Sequence, residues 1–127
     1  MKEQTEVGKL KEGRYVVIDD EPCKILSISV SKPGKHGAAK SRMDVVGIFD
    51  GMKRSVVNPV SAKAYIPIVE RRSAQVISVS GTTVQLMDVK DFDMFEMEVS
   101  DDAIGGIEAG MEVPYIASMG RKKLDLN

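Results

Sequence analysis

Apolar residues recur at every second position along most of this chain, in short β-branched runs cut by Gly, Pro and Asp. That period belongs to strands and not to helices. Leu26, Ile28 and Val30 alternate with Ser27, Ser29 and Ser31, which predicts a strand with its apolar side on a core and its serines in water. A strand over Tyr15–Ile18 is expected before it, across a turn at Asp19-Asp20-Glu21-Pro22, and another over Met43–Phe49 after it, with apolar residues on both faces. Asp50-Gly51 reads as a tight turn into Lys53–Val57, because both residues tolerate positive φ. Ala64–Val69 closes this group, and Pro67 within it lacks a backbone donor and so favours an edge.

After Glu70-Arg71-Arg72 the alternation restarts with Ala74–Ser80, a turn at Ser80-Gly81-Thr82, and Val84–Met87. Along Phe92–Val99 the apolar residues change face between Met94 and Phe95, a slip that predicts a β-bulge. A helical turn near Asp101–Gly106, a strand over Glu112–Met119 and an edge strand within Arg121–Leu126 complete the pattern. Two groups of about five short strands predict an all-β protein of two small barrels, residues 1–69 and 73–127, joined by a linker at 70–72. Each is only ~60–70 residues, where burial is marginal. A single β-sandwich of ~120 residues is the rival architecture.

Composition narrows the function classes. Apolar residues at 43% and charged residues at 29% describe a globular chain. The start, MKEQTEVGKL, has charges where a secretory signal needs an apolar core, and no run of ~18 apolar residues exists, so a cytoplasmic protein without a membrane span is expected. One cysteine, Cys23, excludes an internal disulfide and packs most simply in a core. With a single histidine, His36, soft ligands are too few for a zinc site, and no metal or redox chemistry is expected.

Charge changes the picture once it is divided along the chain. Residues 1–70 hold 12 Lys+Arg against 9 Asp+Glu, whereas residues 71–127 hold 6 against 10. Ser31–Arg42 carries Lys32, Lys35, Lys40 and Arg42 with no acid, which is where a polyanion should be met. This segment connects two clear strand patterns. Pro33 presets φ for one turn position and Gly34 supplies the positive φ of the next, a type II arrangement that delivers Lys35 into solvent, and Gly37 allows a second change of direction. A lone loop lysine is ordinarily only solvated. Two glycines around a central Lys-His pair, with cations alone on either side, suit binding better than loop closure. Lys32, Lys40 and Arg42 are candidates for RNA phosphate contacts, which position without reading sequence.

The segment KPGKHGAAK resembles the modification loop of initiation factor 5A, the archaeal and eukaryotic relative of bacterial elongation factor P. VERRSAQVISVSG resembles that family's inter-domain link and the first strand of its second domain, and IEAGMEVPY its final strand, so the resemblance spans nearly the whole chain. It implies an SH3-like barrel followed by an OB-fold. It implies that Lys35 receives a four-carbon amine from spermidine through deoxyhypusine synthase, giving deoxyhypusine or hypusine as a covalent modification and no other cofactor. Pro33, Gly34, His36 and Gly37 form the loop around it. It further implies a non-enzymatic, monomeric translation factor on the ribosome, whose lengthened side chain steadies peptidyl-tRNA and relieves stalling at sequences such as proline runs. Ala38, where eukaryotic members commonly have a second His, and Pro33, where many have Thr or Ser, point to an archaeal type.

His36 offers either a polar tip residue or a docking contact for the modifying enzyme; acid–base catalysis needs partners on a scaffold, and this loop supplies only lysines. Met52, Met87, Met94, Met97, Met111 and Met119 fall among strand positions and are expected in the cores, as are most of Phe92, Phe95 and Tyr115. The acidic second half lacks the positive groove and stacking platforms with which OB-folds hold single strands. A general RNA-binding β-barrel working without modification is the rival function, and a small enzyme a more distant one.

Overall fold

The computed structural model describes residues 2–32 and 39–125 and divides between Ile68 and Val69. The first unit contains β1 (Lys2–Glu6), a 3-10 turn at Val7–Lys9, β2 (Tyr15–Ile18), β3 (Glu21–Ser31), β4 (Lys40–Gly47), β5 (Lys53–Pro59) and β6 (Lys63–Pro67). The second contains β7 (Glu70–Ser80), β8 (Thr83–Asp88), β9 (Met94–Glu98), α1 (Asp101–Ile104), β10 (Glu112–Ser118) and β11 (Arg121–Leu124).

In the first unit β2, β3, β4 and β5 form an antiparallel meander, and β6 pairs with β1 in a separate ribbon. Asp19 and Asp20 make the β2–β3 turn with φ of 52° and 63°, the left-handed backbone that short Asx side chains accept most readily after glycine. The β4–β5 turn uses Gly51 at φ 67° and the Asp50 carboxylate, which accepts the Met52 N–H at 2.9 Å. β1 was not legible: KEQTE has no apolar alternation, and it is held as a strand by its backbone ladder to β6. Pro67 ends β6 in that two-stranded ribbon. The core is Val7, Leu10, Val16, Cys23, Ile25, Met43, Val45 and Ala64, with Ile28, Val56 and Ile66 packed against it.

The face expected for β3 is corrected by a bulge. Register with β4 shifts between Ile25 and Ser27, so Leu26 becomes the extra residue and is 45% exposed, while Cys23 and Ile25 are buried and Ile28 resumes the inward face. The amide of Ile28 then donates to the Glu12 carboxylate at 2.8 Å. Val30 keeps the inward parity but is 56% exposed.

In the second unit the order is β11-β10-β7-β8-β9, with α1 between β9 and β10: the five-stranded arrangement of an OB-fold, following an SH3-like barrel. Ala74, Val76, Val84, Leu86, Ile107, Val113 and Tyr115 make its core. Glu70–Arg72, expected as a linker, are instead the first residues of β7, hydrogen-bonded in register to Ala117, Ile116 and Tyr115 of β10. A bulge occurs in this unit too, between Val76 and Ser78 and not in β9. β9 pairs with β8 without a shift, and the apparent phase slip arises because Phe92 lies outside the strand, in a turn at φ 63°. Phe92, Met94, Met52 and Met111 are exposed against expectation, whereas Phe95 and Met97 pack on the core and Phe95 lies 4.9 Å from Tyr115, centroid to centroid.

Candidate nucleic-acid interface on the β3–β4 hairpin

β3 and β4 are joined through Lys32–Ala39, and Ser31 opposite Lys40 is the last register pair before the connection. Lys35, Pro33, Gly34, His36 and Gly37 lie outside the described residues, as does Ala38. The base on the β4 side is fixed: Lys40 pairs with Pro59 of β5, and the Val60 N–H donates to the Ala39 carbonyl at 3.0 Å.

Alternation along β4 assigns the cations. Ser41, Met43 and Val45 point inward and are buried, so Lys40, Arg42 and Asp44 share the outer face. Two residues along a strand rise ~6.8 Å, which separates the Lys40 and Arg42 positions by about that much. On β3 the outward serines stand beside them, Ser31 opposite Lys40 and Ser29 opposite Arg42. Lys32 is exposed at the end of β3, and neither it nor Lys40 is drawn into an ion pair among the described residues. Arg42 is 63% exposed and only loosely tied, with Nε 3.8 Å from Asp44 Oδ1. Of the residues predicted for phosphate contact, the fold therefore brings Lys40 and Arg42 to one face, with Lys32 at the end of the neighbouring strand.

The row behind the cations was missed by sequence reading. Asp44 accepts from Ser55 Oγ of β5 at 2.5 Å and from Ser27 Oγ of β3 at 2.9 Å. These hydroxyls, the Ser55 bond first, hold its carboxyl below the usual carboxylate range, with Arg42 adding a smaller effect. The alternation Ser27, Ser29, Ser31 was a signal for this face, legible as solvent exposure but not as hydroxyls beside charges. One polar atom on the inner side is unmatched: Ser41 Oγ is buried without a hydrogen-bond partner among the described residues. Cys23 is fully buried, and desolvation pushes its thiol above the ordinary value. No group of three or more His, Cys, Asp or Glu is placed to hold a metal among the described residues, and no described helix is long and apolar enough to cross a membrane.

A hydroxyl-and-cation face under a cation-rich connection can hold an anionic backbone electrostatically. Residues 2–62 match the translation initiation factor 5A-like N-terminal domain family. A translation initiation factor 5A from Methanoculleus marisnigri is 73% identical over 125 residues, covering 98% of this chain and 100% of that protein. One from Methanospirillum hungatei is 70% identical, covering 98% of both. Among solved structures, a eukaryotic-type translation initiation factor 5A from Methanococcus jannaschii superposes with a TM-score of 0.84 at 46% identity, covering 97% of this chain and 92% of that one. A family member from Naegleria fowleri gives 0.78 at 34%, with 97% and 95% covered.

Proposed function

The chain belongs to the translation initiation factor 5A family, and from that premise we propose that it is a non-enzymatic factor that works on the ribosome in the cytoplasm through a modified Lys35. Deoxyhypusine synthase transfers the four-carbon amine of spermidine to the Lys35 amine: one C–N bond of spermidine breaks, a C–N bond forms at Nζ, and the three-carbon diamine departs. The product is deoxyhypusine or, after hydroxylation, hypusine. Lengthened by several methylenes and a second amine, the side chain steadies peptidyl-tRNA in a geometry that favours peptide-bond formation, with most effect on slow sequences such as proline runs.

The observation that carries this reading is the shared outer face of Lys40 and Arg42, at the foot of the one connection in the chain that holds the motif Pro33-Gly34-Lys35-His36-Gly37. A charge-only role there explains Lys32, Lys40 and Arg42 as phosphate contacts that orient the hairpin, leaving the chemistry of contact to Lys35. The acidic second unit supports the same division of labour, since a polyanion is repelled from it.

The test joins mass and activity. Protein purified from its native host should carry the added mass on Lys35, and Lys35→Arg, which keeps the charge and blocks the transfer, should fold normally and lose stimulation of proline-rich peptide synthesis. Native protein without the addition, or a Lys35→Arg variant as active as wild type, would instead establish an RNA-binding protein that works unmodified.

A further inference from the structure

Phe92 combines two unfavourable features that the fold does not require. Its backbone sits at φ 63°, a region that Gly, Asn or Asp enters readily and a bulky side chain does not. Its side chain is 66% exposed, and no ring or cation contact engages it among the described residues. Val89 and Met94, within three residues on either side, are also exposed, at 40% and 48%.

The turn that presents this ring is braced by hydrogen bonds. The Phe92 N–H donates to the Asp88 carbonyl at 3.0 Å, and the Asp88 N–H to the Asp93 carbonyl at 2.9 Å. Lys90 and Asp91 amides both donate to Asp88 Oδ1, and the Asp93 amide to Asp91 Oδ1. Asp88 itself is buried and tied to Arg72 and Tyr115. An exposed aromatic ring held on a preformed platform loses little freedom on binding, which is the character of an interface anchor.

We propose that Phe92 is the anchor of a docking site for a protein whose surface offers an apolar socket rimmed by Lys and Arg. Charge complementarity selects that occupant. Around the turn and along β9, Glu70, Asp88, Asp91, Asp93, Glu96 and Glu98 stand against Arg72, Lys90 and Lys122, six acids to three cations. Asp88 is buried and Asp91 and Asp93 are paired to Arg72 and Lys122, so the exposed acidic excess lies chiefly with Glu96 and Glu98 of β9. A nucleic-acid backbone meets repulsion here, whereas a basic protein surface meets attraction around the apolar anchor. β9, which follows the turn, ends its sheet and carries Met94, Glu96 and Glu98 on its exposed face, extending the same acidic and apolar surface along an edge strand.

Because this rests on the reading of the chain as a ribosomal factor, the probe is the archaeal large ribosomal subunit, with its protein-free RNA as a second probe. Phe92→Asn and Phe92→Gly both relieve the left-handed backbone, so their thermal midpoints should equal or exceed wild type. Their dissociation constants for the subunit should rise about tenfold or more, while affinity for protein-free RNA stays unchanged and Phe92→Tyr binds like wild type. Unchanged subunit affinity in both variants would overturn the anchor. An equal loss on protein-free RNA would show the ring stacking on a base, and a protein socket would be ruled out. Wild-type protein that fails to bind the subunit at all sinks the ribosomal reading and the anchor with it, a result separable from a variant that binds as well as its parent.

Discussion

Tyr115, buried in β10, donates its hydroxyl proton to the carboxylate of Asp88 at the end of β8. The same carboxylate accepts Arg72 Nε at 2.8 Å and the amides of Lys90 and Asp91, and Arg72 reaches on to Glu70 and Asp91. One buried anion thus joins three strands and a turn. The Arg72 and Tyr115 bonds hold the Asp88 carboxyl well below the usual range, Asp88 holds the Arg72 guanidinium above its ordinary value, and burial, then the bond to Asp88, pushes the Tyr115 phenol up.

Asp88→Asn should therefore destabilise the second unit by about 2–3 kcal/mol, because Arg72 and Tyr115 lose their shared acceptor of charge. The sign of its pH dependence follows from the depressed value. The unfolded carboxyl protonates near ~3.9, so the native contribution is complete above that pH and declines as acid carries the protein toward the lower folded value. Denaturant unfolding followed in steps from about pH 6 to about pH 2 should show a steeper acid loss in wild type than in Asp88→Asn. Tyr115→Phe keeps the ring beside Phe95 and removes only the hydroxyl, and should cost about 1 kcal/mol.

Cys23 is predicted to report opening of the first barrel. Its side chain has no exposure and its thiol is pushed up by burial, so the reactive thiolate is scarce in the native state. Labelling with an alkylating reagent should be slow in native buffer and accelerate across the same denaturant range in which the first unit unfolds. Rapid labelling of folded protein would show that the Cys23–Ile25 stretch of β3 is not part of a closed core.

Several features of this fold were legible because they are local, and the misreadings share one cause. The turns at Asp19-Asp20, Asp50-Gly51 and Gly81 follow from backbone preference, and each stands where its residues predict it. Bulges do not announce themselves in that way. The alternation Leu26, Ile28, Val30 looks uninterrupted, yet the inward face passes from Ile25 to Ile28 because an extra residue enters opposite β4. The slip near Phe92 was read as a bulge when it marks a left-handed turn, since both break a period of two in the same way. β1 and Glu70–Arg72 are strands through their partners' ladders, which a local pattern does not contain. The outer cations Lys40 and Arg42 could be placed because β4 alternates without interruption; Asp44 could not be assigned its two serine donors, which come from different strands.

Asp44 should limit the affinity of the cationic face. It lies on the same side as Lys40 and Arg42, remains ionised through its serine bonds, and draws loosely on Arg42. Asp44→Asn keeps the shape and removes the negative charge. Binding to a single-stranded RNA such as polyuridylate at low salt should tighten about two- to threefold, with the gain vanishing at high salt. A variant that binds RNA no better than wild type would place the nucleic acid away from this face of the sheet.

Lys40→Ala, Arg42→Ala and the double variant test the face directly, because the two sites predict a specific change in salt dependence. Each phosphate contact releases counterion, so the logarithm of affinity falls with the logarithm of salt by roughly 0.7–0.9 for every phosphate neutralised. Both side chains are exposed and neither supports a core, so the variants should unfold like wild type. On ribosomal subunits the slope should become shallower by about one for each single variant and about two for the pair, with affinity lost chiefly at low salt. Because the slope counts the phosphates neutralised, the two single changes should sum in the pair when each side chain meets its own phosphate. A loss of affinity with an unchanged slope would mean that the two residues act by shaping the hairpin and not by meeting phosphates. No loss at all would move the nucleic-acid contact entirely to the connection that contains Lys35.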